Sequence, residues 1–315
     1  MAFLESRNRS TVTHFLLLGF SNDADIQIVL FLIFLVVYVV LLVANILLIL
    51  AVTFDPRLHN PMYFFLINLS IINICGPSAI VPRMLVDFLS GDKSIVFAAC
   101  AAQMFLNFLM GGSECLLLVF MAYDRYVAIC KPLHYSRIVK ISVCALMATV
   151  TWLTSFSTSS LNIFIVYRLT FCGPYIINHF LCTFPHLMIL SCSDTSVSNS
   201  MAFIGSAPIL LIPLLLILFS YYKILSSIKG IRGGRYKAFS SCTPHLIVVT
   251  LYYGLAMVTF MKRNVSVNDN SDKIVSLIKI ISLFYVIIIP MLNPMIYSLR
   301  NKDVIRALRH LVRLQ

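Results

Sequence analysis

Seven apolar blocks govern what this chain can become: Ile26–Thr53, Met62–Val81, Val96–Tyr123, Ile141–Ile165, Met201–Tyr222, Ala238–Phe260 and Ile274–Leu299. A helix rises 1.5 Å per residue, so about 20 apolar residues cross a hydrocarbon core of about 30 Å. Each block meets that length. With 60% hydrophobic and 11% charged residues, the chain also lacks the charged surface, about a quarter of residues, that a soluble domain carries. The expectation is an all-α membrane protein with a single seven-transmembrane helix bundle over 1–315. Residues 1–25 then precede the first span and 300–315 follow the last. Asn68, Asn73, Lys279 and Asn293 fall inside blocks and should face the bundle interior or its watery ends. Pro77, Pro208, Pro213, Pro290 and Pro294 should kink their helices rather than break them, because neighbouring helices satisfy the freed carbonyls.

Seven crossings put the two ends on opposite sides, and the cations choose which is inside. With the amino terminus outside, the inner segments hold Arg57; Arg125, Lys131, Arg137 and Lys140; Lys223, Lys229, Arg232, Arg235 and Lys237; and Arg300, Lys302, Arg306, Arg309 and Arg313. Only Asp55, Asp124 and Asp303 oppose them, a balance of +12, while nine cations meet eight acids outside and Glu114 lies within the membrane. The chain is therefore expected to be a multi-pass plasma-membrane protein, amino terminus extracellular and carboxyl terminus cytoplasmic. A glycosylation sequon at Asn8 fits that side, and a second at Asn264 lies close to the membrane. From Lys302 to Arg313, Val304, Ile305, Leu308, Leu311 and Val312 share one helical face opposite Arg306, Arg309 and Arg313. That pattern predicts a short amphipathic helix along the inner leaflet after the seventh span. The apolar run Phe15–Phe20 is too short for a cleaved signal core, so the first span is expected to direct insertion.

These patterns also exclude other functions. The net charge of +12 sits in short connectors, not on a basic, aromatic-lined soluble face, which argues against nucleic acid. A transporter would show inverted repeats or paired broken helices; neither is found. An intramembrane enzyme would need a catalytic constellation, and no His-Glu-x-x-His motif or Gly-x-Ser-x-Gly elbow occurs. No cofactor or metal is expected. Of nine cysteines, Cys100, Cys172, Cys182 and Cys192 fall on the outer side, and four cysteines allow three pairings. Stapled to the third block, the long outer segment Tyr167–Ser200 becomes a lid. His179, Cys182 and His186 have a spacing that suits a metal, against the plainer reading of an oxidised Cys182 between ordinary loop histidines.

Two motifs carry a mechanism. Asp124-Arg125-Tyr126 closes the third block, and Asn293-Pro294-Met295-Ile296-Tyr297 lies at similar depth in the seventh. A proline kink, an amide and a phenol converge where helices can move, and together they resemble the rhodopsin-like G-protein-coupled receptors. The resemblance narrows to vertebrate olfactory receptors in Leu58–Leu66 (LHNPMYFFL), Met121–Tyr135 (MAYDRYVAICKPLHY), Lys237–Leu246 (KAFSSCTPHL) and Pro290–Lys302 (PMLNPMIYSLRNK). Phe15–Phe20, Phe171–Pro174, His179-Phe180 and Cys192–Asp194 fit as well. These segments keep the family's order and cover nearly the whole chain.

The resemblance implies a receptor that binds small volatile or hydrophobic molecules and activates a stimulatory, olfactory-type heterotrimeric G protein, raising cyclic AMP. A same-family receptor used outside the nose as a metabolite sensor is the alternative. In the family's pattern Asp124 restrains Arg125 at rest, and Tyr221 and Tyr297 support the open state. Cys100 pairs with Cys182 and Cys172 with Cys192, and Asn45, Asn73 and Glu114 form an internal polar network. Asn73 stands where the family carries aspartate, leaving Glu114 as the network's only carboxylate; that argues against a sodium site and implies raised basal signalling. The implied pocket comprises Met104, Phe105, Asn107, Phe108, Gly111, Gly112, Ile204, Ala207, Tyr253, Ala256, Met257 and Phe260, with Asn107 and Tyr253 as hydrogen-bonding partners. Lys279 near the outer end of the seventh block is read as a snorkelling lysine, or else an attractor of acids. A trafficking escort protein is a further implied partner.

Overall fold

The computed structural model describes residues 13–21, 23–172, 175–194, 196–228, 234–265, 272–298 and 302–313. Strand β1 (His14–Leu17) leads into α1 (Ala24–Phe54), which starts where the Asp23 carboxylate accepts the N–H groups of Asp25 and Ile26. Helix α2 (Pro61–Ser78) is capped in the same way by Asn60, whose side chain accepts the Tyr63 N–H, and its first residue is proline, pre-set for a helix start. Then come α3 (Val81–Ser90), β2 (Ser94–Val96), α4 (Phe97–Cys130), α5 (Tyr135–Ile138) and α6 (Ile141–Tyr167). The second half holds β3 (Ile176–Ile177), α7 (Phe184–Ile189), α8 (Ser196–Ile228), α9 (Gly234–Val265), α10 (Asp272–Leu283), a π-helical turn (Phe284–Ile288), α11 (Ile289–Ser298) and α12 (Lys302–Arg313).

Among the described residues six helical segments are long and apolar enough to cross a membrane: Ala24–Phe54, Pro61–Ser90, Phe97–Cys130, Ile141–Tyr167, Ser200–Ser227 and Val275–Ser298. Helix α9 adds a shorter apolar stretch, Cys242–Val258. The second span runs to Ser90, past the Val81 end expected from hydropathy. Ala79 and Ile80 interrupt it between Pro77 and Pro82, because neither proline supplies a ladder N–H. The continuation was hidden by Arg83 and Asp87, which pair at 2.7 Å one helical turn apart. It stops at Gly91, whose φ of +68° is left-handed. The third span likewise runs beyond Tyr123 to Cys130.

Helix α4 is the hub. Leu117, Leu118 and Ala122 are buried against Leu66 and Leu69 of α2, Ile217 of α8, and Val248 and Tyr252 of α9. The bundle also carries a small sheet at one end that hydropathy did not foresee. Strand β1 lies at its centre, antiparallel to β2 and parallel to β3. Phe15 and Leu17 point inward and are 1% exposed, packed with Met104, Cys182 and Phe184. Alternation along β1 thus turns the run Phe15–Phe20 into part of a lid. At the opposite end α12 buries Val304 and Ala307 in the bundle core and leaves Arg306 and Arg309 exposed. The side chains of Leu311, Val312 and Arg313 lie outside the described residues.

Candidate functional site

Three layers of polar groups thread the bundle from end to end. At the end remote from the lid, α4 places Asp124 at 1% exposure, and the neighbouring Arg125 donates to its carboxylate through Nη2 at 2.7 Å and Nε at 3.2 Å. From the connector helix α5, the Tyr135 hydroxyl donates to the other carboxylate oxygen at 2.7 Å. Burial and the adjacent Asp124 charge push the Tyr135 phenol up from its ordinary range, so it keeps the proton it donates. Tyr126 lies beside Tyr123, ring centroids 6.3 Å apart. Across the gap, His245 of α9 makes contact with the Leu118 carbonyl through Nε2 at 3.1 Å and with the Tyr221 hydroxyl through Nδ1 at 2.7 Å. A carbonyl only accepts, so the proton sits on Nε2 and Tyr221 donates to Nδ1. The Tyr297 hydroxyl is buried with no partner among the described residues. Sequence reading named Tyr221 and Tyr297 but not His245, which lies in plain sight within the Lys237–Leu246 segment.

One layer deeper, amides form a chain. Asn45 donates to the carbonyls of Leu41 and Pro290, Asn73 to Asn45 at 3.1 Å, and Asn293 to Asn73 at 3.1 Å and Glu114 at 3.2 Å. This chain joins α1, α2, α4 and α11 beside Pro294, which is itself buried. The three expected network residues meet here, and Asn293 links them to the proline kink.

The third layer lies mid-bundle. Tyr252 of α9 donates to the Gly111 carbonyl at 2.6 Å and lies 2.6 Å from the Tyr285 hydroxyl on the π-helical turn. The Tyr253 hydroxyl donates to the Cys115 carbonyl at 3.1 Å, so its bond is spent on backbone. Neither Tyr252 nor Tyr285 was singled out from the sequence; an aromatic pair beside a glycine gives no local signal until helices are docked. Of the expected chamber residues, Met104 and Ala207 are buried, and Asn107, Phe108, Gly111, Gly112, Ala256 and Met257 are partly buried. Phe105 packs edge-on against Phe156 at 5.5 Å. Ile204 is 69% exposed and shares the outward face of α8 with Leu211 and Leu215. The side chain of Phe260, like Asn8 and the second sequon, lies outside the described residues.

Above this layer sits the lid. Disulfides join Cys100 to Cys182 and Cys172 to Cys192. The sulfur that the His179, Cys182 and His186 spacing offered to a metal is therefore engaged elsewhere. Gln103 accepts the Cys182 N–H at 2.9 Å. Burial, then the Lys279 ammonium, pushes His186 down to about 4; burial, His186 and Lys279 lower His179 as well. Both are neutral at neutral pH. Lys279 donates to the Gly19 carbonyl at 2.6 Å and Asn178 at 2.8 Å, while Lys93 donates to the carbonyls of Leu18 and Ser21. Lys279 is thus a clasp on the segment after β1, where sequence reading had a snorkelling side chain. Phe20, on the same segment, stacks on Phe180 at 4.8 Å.

The comparisons fit this architecture. The family model for olfactory receptors matches residues 34–314. Human (Homo sapiens) olfactory receptor 13C9 is 44% identical over 310 residues, covering 98% of each chain. Olfactory receptor 2K2, also human, is 46% identical over 311 residues, covering 98% of this chain and 96% of its own. Olfactory receptor 5AR1 of Mus musculus is 43% identical over 313 residues, covering 98% of each. The crystal structure of squid rhodopsin superposes with a TM-score of 0.72 over 94% of this chain and 87% of its own, at 17% identity, so the two share a fold. This chain belongs to the olfactory receptor family, multi-pass membrane proteins of the rhodopsin-like class that signal rather than catalyse.

Proposed function

We propose that this receptor lies in the plasma membrane with its lid outside, binds small hydrophobic odorants in a chamber walled by α4, α8 and α9, and activates a stimulatory heterotrimeric G protein to raise cyclic AMP. The observation that carries the reading is the grip on Asp124, held by Arg125 and Tyr135 at the end remote from the lid. The orientation is supported by the cations, which gather at that same end. Arg125 is a permanent cation, so its partner can change while its charge does not. Releasing it from Asp124 makes a two-state element that a ligand biases by binding one state more tightly. The chamber couples to that element through α9, which carries Tyr252 and Tyr253 at one level and His245 at the next. In the open state Tyr221 leaves His245, and its hydroxyl and that of Tyr297 turn towards Arg125. An escort protein assists delivery to the surface.

The test is cyclic AMP in cells expressing the receptor with a stimulatory G protein, challenged with an odorant panel. Wild type responds to at least one odorant, and Arg125→Ala, at matched surface level, drops to the background of untransfected cells. A response that survives the substitution overturns the role given to Arg125.

A further inference from the structure

The last span changes pitch in its middle. From Phe284 to Ile288 it is π-helical, and the Ile289 N–H reaches the Phe284 carbonyl five residues back. The extra residue turns the segment beyond it by about 100° against an unbroken α-helix. Such turns are rare and occur mostly at functional sites. Two side chains on α11 show that the rotation matters. Asn293 Oδ1 and the Tyr297 hydroxyl, one turn apart, are buried with no partner among the described residues. Buried polar groups ordinarily have one. Helix α11 is thus held where two of its groups are left unmatched.

The hold is visible in Tyr285, which lies inside the π turn. Its hydroxyl is 2.6 Å from that of Tyr252, and the Tyr252 hydroxyl is 2.6 Å from the Gly111 carbonyl. A carbonyl only accepts, so the single Tyr252 proton goes to Gly111 and Tyr285 donates to Tyr252. The bonds therefore run one way, from the π turn through α9 to α4. Gly111 has no β-carbon to collide with the Tyr285 hydroxyl. Just past the turn, Asn45 of α1 donates to the Pro290 carbonyl at 3.1 Å. The turn is pinned on both sides.

We propose that Tyr285 and Tyr252 are positioning residues for activation: their hydroxyl chain from the π turn to Gly111 holds α11 in its resting rotation. Release lets α11 turn and gives Asn293 and Tyr297 the partners they lack. This rests on the coupling reading above and names what keeps it at rest. The proposed chamber lies between α4 and α9, so a ligand that parts these helices pulls on the chain directly.

The experiment reads conformation apart from signalling. Hydrogen exchange over Ile289–Ser298 is followed in purified receptor in lipid nanodiscs, and basal cyclic AMP is measured in cells at matched surface level. Tyr285→Phe removes one bond and keeps the ring. It speeds the exchange and raises basal cyclic AMP about fivefold, the shift that one ordinary hydrogen bond gives a two-state balance. Tyr252→Phe removes two bonds and raises it further. Gly111→Ala, which pushes the Tyr285 hydroxyl away, raises it as well, and adding Tyr285→Phe to it brings little more. Tyr38→Phe loses a phenol bond to Ser78 between α1 and α2 and leaves exchange over α11 and basal signalling as in wild type. Exchange as slow in both tyrosine variants as in wild type overturns the proposal, and so does a basal level that falls. Faster exchange beside an unchanged basal level, in a receptor that answers odorant, overturns it too, since the pair would then only stiffen α11. Faster exchange with no cyclic AMP from any form, odorant included, leaves the hold on α11 standing and overturns the coupling reading instead.

Discussion

Gly111 shows how much a single absent methyl can permit. A β-carbon at this position would lie 2.6 Å from the Tyr285 hydroxyl and 3.6 Å from that of Tyr252, and a tyrosine ring has little freedom to swing aside. Gly111→Ala is expected to break the hydroxyl pair and destabilise the receptor by about 1–3 kcal/mol. The melting temperature of the purified protein checks this. Combining it with Tyr285→Phe, which removes the clashing atom, should cost less than the two changes summed. This tyrosine pair could not be read from the sequence, since it depends on how α9 and the π-helical turn approach α4. Asp124, Arg125 and Asn293 were legible because their neighbours in sequence define them. Tyr135 lay inside a recognisable segment but had no role until α5 folded back onto Asp124. Ile204 was named from the family's pattern, which does not say which face of α8 turns inward in this chain, and its side chain is 69% exposed.

Elements were legible where length and hydropathy alone decide them, as in α1, α4 and α6. They were illegible where charge or proline interrupts the pattern. The pair Arg83–Asp87 disguised α3 as a loop, and the π-helical turn before Pro290 leaves no trace in hydropathy, being a backbone accommodation to a residue without an N–H. Strand β1 is the clearest case. Its four residues carry no strong strand signal alone, and they become a strand only because β2 and β3 offer edges on either side. Phe15 anchors it, packing edge-on against Phe171 at 5.5 Å and close to Phe97 and Tyr175. Phe15→Ala is expected to destabilise the lid by about 3–5 kcal/mol. The measurement is surface abundance by antibody and hydrogen exchange over β1, both of which should change in the direction of a looser lid.

At the scale of the whole molecule, composition and block length were enough to give the bundle, and the uneven cations were enough to predict its orientation. That orientation has its own check. Asn8→Gln should abolish a glycan-dependent mass shift seen in wild type on glycosidase treatment, whereas a receptor inserted the other way would show no shift from Asn8 in either form. The sheet that caps the bundle has a consequence for synthesis. Its central strand is made ahead of the first span, yet its parallel neighbour, Ile176–Ile177, follows only after four spans have been threaded into the bilayer. Until then the N–H groups of Leu16 and Leu18, which bond the carbonyls of Tyr175 and Ile177 in the finished sheet, stand open, the kind of edge that invites wrong partners. The receptor is thus born with its first strand unpaired and is closed late by its own middle, so errors in the segment between α6 and α8 should show first as molecules retained during export, before any loss of odorant affinity.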